Sequence, residues 1–283
     1  MIESIFTLRD GRLLSYSEWG DPGGSPVVLL HGSPGSRLFV PDDIPPGVRL
    51  ITFNRSGYGT SSGRLGRTVL DAADDLAELL DLLNVQHAGI VAWSGGCPTG
   101  VAFGYRYPHR TTALALVSGP GPLDEVPGVW ELLGSRRRKP AEWARSGDLQ
   151  RTTQSIYANV EPFLKNPVAF LGAGRGPDTD IVSNARFRPM LEAQITEAFA
   201  HPDGVAQDLI AMWLPFGFAL RDIRVRTVTF QGELDRDNHA DMAHYANQIP
   251  GAKATVWPGL GHFGLLVRFP EVIAALVGPS AQV

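Results

Sequence analysis

Short apolar runs rich in valine, isoleucine and leucine recur along the chain, and polar residues do not alternate with apolar ones inside them. The runs cover residues 26–30, 48–53, 88–93, 113–117 and 227–230. Strands that are buried on both faces have this pattern, and parallel sheets contain such strands. The sequence therefore predicts a mostly parallel central sheet.

The segment 68–83 has a helical period instead. Its leucines fall on one stripe and its acidic residues lie elsewhere, and Thr68 followed by Asp71 is a helix start signal. Strands that alternate with helices indicate an α/β fold with helices on both faces of the sheet. Near the N-terminus, residues 5–8 and 13–19 flank Asp10-Gly11, which predicts an antiparallel hairpin at the start of the sheet.

The alternation of strands and helices stops between residues 122 and 222 and returns near Val225. The intervening stretch is helix-prone and rich in proline, which predicts a helical cap (122–222) inserted into a core made of 1–121 and 223–283. Its tryptophans either form the small core of the cap or line a pocket: Trp130, Trp143 and Trp213. Its basic cluster, residues 136–139, is interpreted as a solvated face, with anion recognition as the alternative.

Composition narrows the classes of partner. The chain has 283 residues, a net charge of −4 and a single cysteine, Cys97. No basic face dominates, so nucleic acid is not an expected partner, and one cysteine allows neither an internal disulfide nor a cysteine-rich metal site. We see no signal peptide and no apolar run long enough to span a bilayer, and we therefore expect no membrane partner and a cytoplasmic location.

Polar residues follow several of the apolar runs within five positions, where the sites of open parallel sheets form. Ser94 follows one run, Asp235 another and His262 a third, at 254–257. An unaided serine hydroxyl is a poor nucleophile at neutral pH and needs a base, for which His262 is the candidate. Asp235 would fix the imidazole tautomer, and Asp237 is a nearby competitor for that role.

The order serine, aspartate, histidine resembles the α/β-hydrolase family, and the resemblance covers nearly the whole chain. The family places its serine in a small-x-Ser-x-Gly turn between a strand and a helix, which residues 92–96 match with alanine in place of the commoner first glycine. Behind the turn, Gly96, Gly100 and Gly104 would form a bare stripe on which the helix approaches the sheet. The resemblance also implies that the backbone amides of Ser33 and Gly95 form an oxyanion hole.

Other residues receive a structural interpretation. The His-Gly pair at His31 is usually architectural in the family, and Asn54 stands where the family commonly has aspartate, so no role is carried over to it. Cys97 is expected to be a buried helix residue. The remaining histidines are scattered without ligand spacing, for example His239 and His244, so no metal is expected. No glycine-rich phosphate loop follows a strand, so no nucleotide cofactor is expected.

A serine nucleophile favours acyl transfer to water, whereas related dehalogenases and epoxide hydrolases place aspartate at this turn. Residues 93–98, WSGGCP, look like the proline iminopeptidase branch and its esterase-like relatives. We predict a hydrolase of small-molecule carboxylic esters that needs no cofactor. A proline iminopeptidase-like aminopeptidase is the second hypothesis, and its ammonium-binding carboxylates would come from the cap: Glu131, Glu161, Glu192 and Glu197. A ligand-binding module without turnover is the third.

Overall fold

A computed structural model describes residues 2–172 and 176–277, and it contains one eight-stranded sheet in the order β1-β2-β4-β3-β5-β6-β7-β8. The strands are β1 Ile2–Thr7, β2 Leu13–Gly20, β3 Ser25–Leu30, β4 Val48–Phe53, β5 Ala88–Trp93, β6 Thr111–Val117, β7 Thr227–Gly232 and β8 Lys253–Trp257. The predicted mostly parallel sheet and the predicted α/β fold are confirmed.

The sheet begins with antiparallel pairs and continues as a parallel one. β1 pairs antiparallel with β2, and β2 pairs antiparallel with β4. From β4 to β8 every neighbouring pair is parallel. All six residues of β5 are buried, as expected for a central strand with both faces covered.

Ten α-helices accompany the sheet in the described part of the chain. They are α1 Val69–Leu82, α2 Cys97–Arg106, α3 Val129–Leu132, α4 Gly134–Arg145, α5 Leu149–Lys165, α6 Thr179–Ser183, α7 Arg188–Ala198, α8 Asp203–Trp213, α9 His239–Gln248 and α10 Leu265–Val277. The start signal of α1 is a complete capping box, since the Thr68 hydroxyl accepts from the Asp71 amide and the Asp71 carboxylate accepts from the Thr68 amide.

The inserted segment, residues 122–222, carries helices α3 to α8 between β6 and β7, and its described residues contain no strand. Its apolar side chains join those of the sheet in one buried cluster: Ile156 and Leu191 belong to the same cluster as Val91 and Trp93. Burial of this apolar surface is the main force that holds the segment on the sheet. No helix among the described residues has the length and apolar character that a membrane crossing requires.

The basic cluster of the inserted segment is exposed where its side chains are described. Arg137, Arg138 and Lys139 are exposed, and Arg138 pairs with Glu142 at 3.3 Å on the same helix. The Arg136 side chain lies outside the described residues. This pattern fits the solvated face that the sequence suggests.

The glycine stripe of α2 faces the sheet, as the sequence predicts. A Cβ atom added to Gly96 would lie 2.6 Å from the Leu30 carbonyl oxygen, and one added to Gly100 would lie 2.6 Å from the Ala92 Cβ. At Gly104 the nearest atom would be a Val225 methyl at 3.1 Å. At Gly100, and at Gly96 in the turn before α2, the chain therefore approaches the sheet more closely than a side chain would permit.

Because Gly100 has no space for a side chain, we expect Gly100→Val to destabilise the protein by about 2–3 kcal/mol through overpacking. Gly23→Val is the matched control, because the nearest atom to its added Cβ is 3.6 Å away. The free energy of unfolding in urea should change by about 0.5 kcal/mol or less in the control. Equal stability of both variants would contradict the close approach of α2.

Candidate active site

Ser94 sits in a sharp turn between β5 and α2. Its φ angle is 52°, in the left-handed region that residues with a side chain rarely occupy. A short 3₁₀ turn, Ser94–Gly96, leads directly into α2. The small residues around Ser94 are needed because the turn is wedged against the loop after β3: a Cβ on Gly95 would lie 2.6 Å from the Ser33 Cβ.

Ser94, His262 and Asp235 meet at the carboxyl edge of the sheet. The Ser94 Oγ lies 3.0 Å from the His262 Nε2, and the His262 Nδ1 lies 2.9 Å from the Asp235 Oδ2. Asn238 donates to both carboxylate oxygens of Asp235 at 3.2 Å. Asp237, the competing acid, is exposed. The structure therefore brings together the three predicted residues, and Asp235 is the acid next to the imidazole.

Asp235 is ionised at neutral pH. Burial alone would raise the pKa of Asp235, but the hydrogen bond and charge of His262 and the hydrogen bonds from Asn238 together outweigh burial and lower the pKa below its ordinary value. An ionised carboxylate accepts a proton in a hydrogen bond, so Nδ1 of His262 carries the hydrogen. Nε2 is then free to accept the Ser94 hydroxyl proton.

The loop after β3 brings Ser33 beside the serine turn. The backbone nitrogen of Ser33 would lie 2.8 Å from a Cβ on Gly95, so the two predicted oxyanion-hole residues are immediate neighbours. The Ser33 hydroxyl is engaged with the Tyr58 hydroxyl at 2.8 Å. That bond directs the Ser33 side chain toward the loop after β4.

A buried ion-pair network holds the loop after β3, which carries Ser33. Arg55 donates to the carbonyl oxygens of His31 and Gly32 at 2.6 Å and 3.0 Å. Its guanidinium also pairs with Asp208 of α8 at 2.5 Å, and Arg67 forms a second pair with that carboxylate. Burial alone would raise the pKa of Asp208, but the two arginines outweigh burial and hold the pKa well below its ordinary value. The inserted segment thus anchors the Ser33 loop through Arg55.

A second buried carboxylate of the inserted segment holds the histidine loop. Asp178 accepts hydrogen bonds from the backbone amides of His262 and Phe263 at 2.8 Å and 2.9 Å. These amides begin the short 3₁₀ turn that precedes α10, where orphan donors need an acceptor. The Asp178 side chain therefore pairs the free amides at the start of this turn, although it lies 84 positions before His262 in the chain.

A pocket opens beside Ser94 and His262. It has a volume of about 340 Å³, including the part open to solvent. Its walls come from the loop after β3, from the serine turn and from the inserted segment. The lining residues are Gly32, Ser33, Pro34, Trp93, Ser94, Phe170, Leu171, Gln194, Ile195, His262 and Phe263. The lining residues from the inserted segment are apolar except for Gln194.

The structural interpretations from the sequence can be compared with these contacts. His31 is buried, and its Nδ1 lies 2.7 Å from the Gly32 carbonyl oxygen, while Asn54 accepts from the Arg37 amide and donates to Ser15. Cys97 is buried in α2, and burial raises the pKa of its thiol to about 12. These three side chains have structural surroundings, as the sequence suggests. The described residues contain no cluster of metal-binding side chains, His239 and His244 included.

The four glutamates of the ammonium-binding hypothesis lie outside the pocket lining. Glu131 is exposed, and Glu161 pairs with Lys165 at 2.9 Å. Glu192 pairs with Arg188 at 2.5 Å, and Glu197 pairs with Arg37 at 3.0 Å. The three tryptophans also lie elsewhere, whereas Phe170 is an aromatic residue of the inserted segment that does line the pocket.

Sequence reasoning missed four residues around the site: Arg55, Asp178, Asp208 and Gln194. The last three lie in the inserted segment, where no motif marks them. Arg55 stands two places after β4 in a glycine-rich loop, and only its complete burial shows that it faces the interior. Their positions depend on how the segment folds back onto the core.

A family model described as the alpha/beta hydrolase fold matches residues 25–269. The chain belongs to the alpha/beta hydrolase fold family. A bifunctional esterase/perhydrolase of Acinetobacter calcoaceticus is 33% identical over 271 residues, which are 90% of this chain and 91% of that protein.

A proline iminopeptidase of Xylella fastidiosa (strain 9a5c) is 30% identical over 122 residues, which are 40% of this chain and 38% of that protein. The matches to the first three curated relatives span 39%, 38% and 48% of those proteins, so this chain aligns with less than half of their length. Among solved structures, a hydrolase from Pseudomonas aeruginosa PA01 has the same fold, with a TM-score of 0.71 and 20% identity over 98% of both chains.

The Asp208 carboxylate between two buried arginines predicts a pH-dependent stability. A folded pKa below the ordinary value of 3.8 stabilises the protein above that value, and the contribution is lost as the pH falls below it. We expect Asp208→Asn to cost about 3–5 kcal/mol at pH 7, because it leaves buried guanidinium charge unpaired. The difference from the unmodified protein should shrink below about pH 4.

Urea denaturation at pH 7, 5 and 3 measures this difference. Asp81→Asn is the control, because Asp81 forms only surface ion pairs with Arg9 and Arg110. It should cost about 1 kcal/mol or less. A cost for Asp208→Asn that matches the control at pH 7 would contradict the stabilising role of the network.

Proposed function

We propose that this protein is a serine hydrolase that cleaves small-molecule carboxylic esters through an acyl-enzyme. The observation that carries the proposal is the continuous hydrogen-bonded series from Ser94 through His262 to Asp235, which ends in a pocket. Membership in the family and the esterase/perhydrolase relative, matched over 90% of this chain, also support it.

In the first half-reaction the Ser94 Oγ attacks the ester carbonyl carbon, and Nε2 of His262 takes the hydroxyl proton. The carbonyl π electrons move to oxygen and form a tetrahedral oxyanion. Asp235 holds the imidazolium in the orientation and tautomer that the transfer requires. When the oxyanion collapses, the bond between carbonyl carbon and alcohol oxygen breaks, and His262 returns its proton to the leaving alcohol.

The backbone amides of Ser33 and Gly95 are the proposed donors to the oxyanion. Their closeness supports this role, and Gly95 precedes α2, where the helix dipole favours negative charge. Because Arg55 and Asp208 fix the loop of Ser33, its amide needs little reorganisation as the charge develops.

In the second half-reaction water attacks the acyl carbon and passes a proton to His262. Collapse of the new tetrahedral oxyanion breaks the bond to Ser94 Oγ, which recovers the proton from the imidazolium. The products are a carboxylic acid and the regenerated serine. This cycle consumes only ester and water, and it involves no cofactor.

We further propose that residues 1–121 and 223–283 form the catalytic core and that residues 122–222 form a helical cap over it. The contribution of Phe170, Leu171 and Ile195 to the pocket wall supports a role of the cap in substrate choice. Small molecules are the proposed partners, and a cytoplasmic location stays a prediction.

The pocket favours a neutral ester over the substrate of an aminopeptidase. An aminopeptidase must pair the substrate ammonium with carboxylates, yet no carboxylate is present among the described pocket-lining residues. The four candidate glutamates lie outside that lining, and three of them are engaged with basic side chains. The aminopeptidase hypothesis therefore remains second.

We expect the unmodified protein to hydrolyse p-nitrophenyl butyrate faster than proline p-nitroanilide. Ser94→Ala should lower kcat for the ester by about 10⁶-fold, because the nucleophile is removed, and should leave the melting temperature nearly unchanged. Steady-state kinetics and a thermal melt test both expectations. Ester turnover retained by Ser94→Ala would refute the assignment, and faster proline release would favour the aminopeptidase.

A fluorophosphonate probe separates a hydrolase from a binding module without turnover. Covalent labelling of Ser94, seen by mass spectrometry and absent in Ser94→Ala, supports the enzyme. A lack of labelling at high probe concentration supports the binding module instead.

The two neighbouring aspartates provide a matched pair for the acid role. We expect Asp235→Asn to lower kcat/KM about 10³- to 10⁴-fold, because an amide favours the wrong imidazole tautomer. Asp237→Asn should change kcat/KM by less than about twofold, since Asp237 is exposed. The reverse ranking in ester kinetics would move the acid role to Asp237.

A further inference from the structure

Gln194 is a polar pocket residue without a described protein partner. It lies on α7 and is 3% exposed, and it lines the same pocket as Ser94 and His262. Its Oε1 is buried and has no hydrogen-bond partner. Buried side-chain polar groups in proteins are paired in the large majority of cases, so an orphan oxygen beside a reactive centre needs an explanation.

The surroundings of Gln194 set it apart from the other polar groups of the pocket. Ser94 and His262 bond to each other, and the Ser33 hydroxyl bonds to Tyr58. On the inserted segment, the other described lining residues are apolar: Phe170, Leu171 and Ile195. An unpaired amide in such a wall weakens binding of a fully apolar ligand and favours a ligand that supplies the missing hydrogen bond.

The chemistry of the wall restricts what that ligand group can be. The orphan atom is an acceptor, so the ligand must donate a hydrogen. An ammonium donor would lack a counter-charge, because the described lining residues contain no carboxylate. Among neutral donors, a hydroxyl is the smallest group that satisfies an amide oxygen in a pocket of about 340 Å³ without bringing a charge.

We propose that Gln194 is a specificity-determining residue that accepts a hydrogen bond from a hydroxyl group of the substrate. The substrate class is then small hydroxylated carboxylic esters, with the hydroxyl on either the acyl or the alcohol part. This inference rests on the proposed ester hydrolysis and adds a substrate class to it.

Two pairs of esters distinguish the sources of the hydroxyl. The acyl pair is p-nitrophenyl butyrate against p-nitrophenyl 3-hydroxybutyrate, and the alcohol pair is ethyl butyrate against 2-hydroxyethyl butyrate. The measured quantity is the ratio of kcat/KM for the hydroxylated ester to kcat/KM for the plain ester. A ratio cancels general effects on catalysis, so it isolates recognition of the hydroxyl.

Gln194→Met preserves the length of the side chain and removes its hydrogen-bonding groups. We expect the ratio to fall about tenfold or more in this variant for at least one hydroxyl position. Gln194→Leu is the second variant if methionine prevents folding, which a thermal melt detects. Gln154→Leu is the matched control, because Gln154 is exposed on α5, and its ratios should equal those of the unmodified protein.

An unchanged ratio in both Gln194 variants, for the acyl and the alcohol pair alike, would overturn the role of Gln194. The failure of the proposed function looks different, because the unmodified protein would then hydrolyse none of the esters. A ratio that falls in one pair only supports the proposal and identifies the part of the substrate that carries the hydroxyl.

Discussion

The site depends on the close approach of α2 to the sheet. Gly96 and Gly100 leave no room for side chains, so α2 packs close to the sheet, and only the short turn Ser94–Gly96 separates it from β5. This packing holds Ser94 in a left-handed conformation with its hydroxyl toward His262. The same packing brings Gly95 against Ser33. One steric constraint thus positions the hydroxyl and the two neighbouring backbone amides together.

Two buried carboxylates connect the inserted segment to the loops that carry this site. Asp208 acts on the Ser33 loop through Arg55, and Asp178 holds the backbone of the histidine loop. Both loops lie outside the inserted segment, so the segment that contributes to the pocket wall also fixes the loops on which Ser33 and His262 lie. Loops of this kind carry few regular backbone hydrogen bonds of their own, and side-chain acceptors and donors replace them.

Much of the core could be predicted from the sequence because its signals are local. The buried strands are continuous apolar runs, α1 has a capping box, and Ser94, Asp235 and His262 each follow a strand. Parallel strands then bring such residues to one edge without further information. The sequence left Asp237 as a competitor for the acid role, and only the folded chain shows that the Asp235 carboxylate lies next to the imidazole.

The inserted segment could not be predicted in the same way. Its helices were expected, but nothing local in the sequence indicates that Asp178 and Asp208 turn inward or that Gln194 faces the pocket. Those orientations result from packing between residues more than 50 positions apart, such as Asp208 and Arg55. Three of the four glutamates considered for ammonium binding pair with basic side chains instead, which only the folded chain reveals.

The two acids of the inserted segment have a consequence for how this fold diversifies. The groups proposed to perform the chemistry lie outside that segment, whereas Phe170, Leu171 and Ile195 of the pocket wall lie within it. An exchange of this segment between relatives would change the pocket wall and leave the proposed chemical groups in place. Arg55, however, is fully buried and requires an anion from whatever insertion lies above it. A chimaera that brings no such acid would keep an unpaired buried cation beneath the Ser33 loop, and a successful graft must therefore carry the acid along with the new pocket wall.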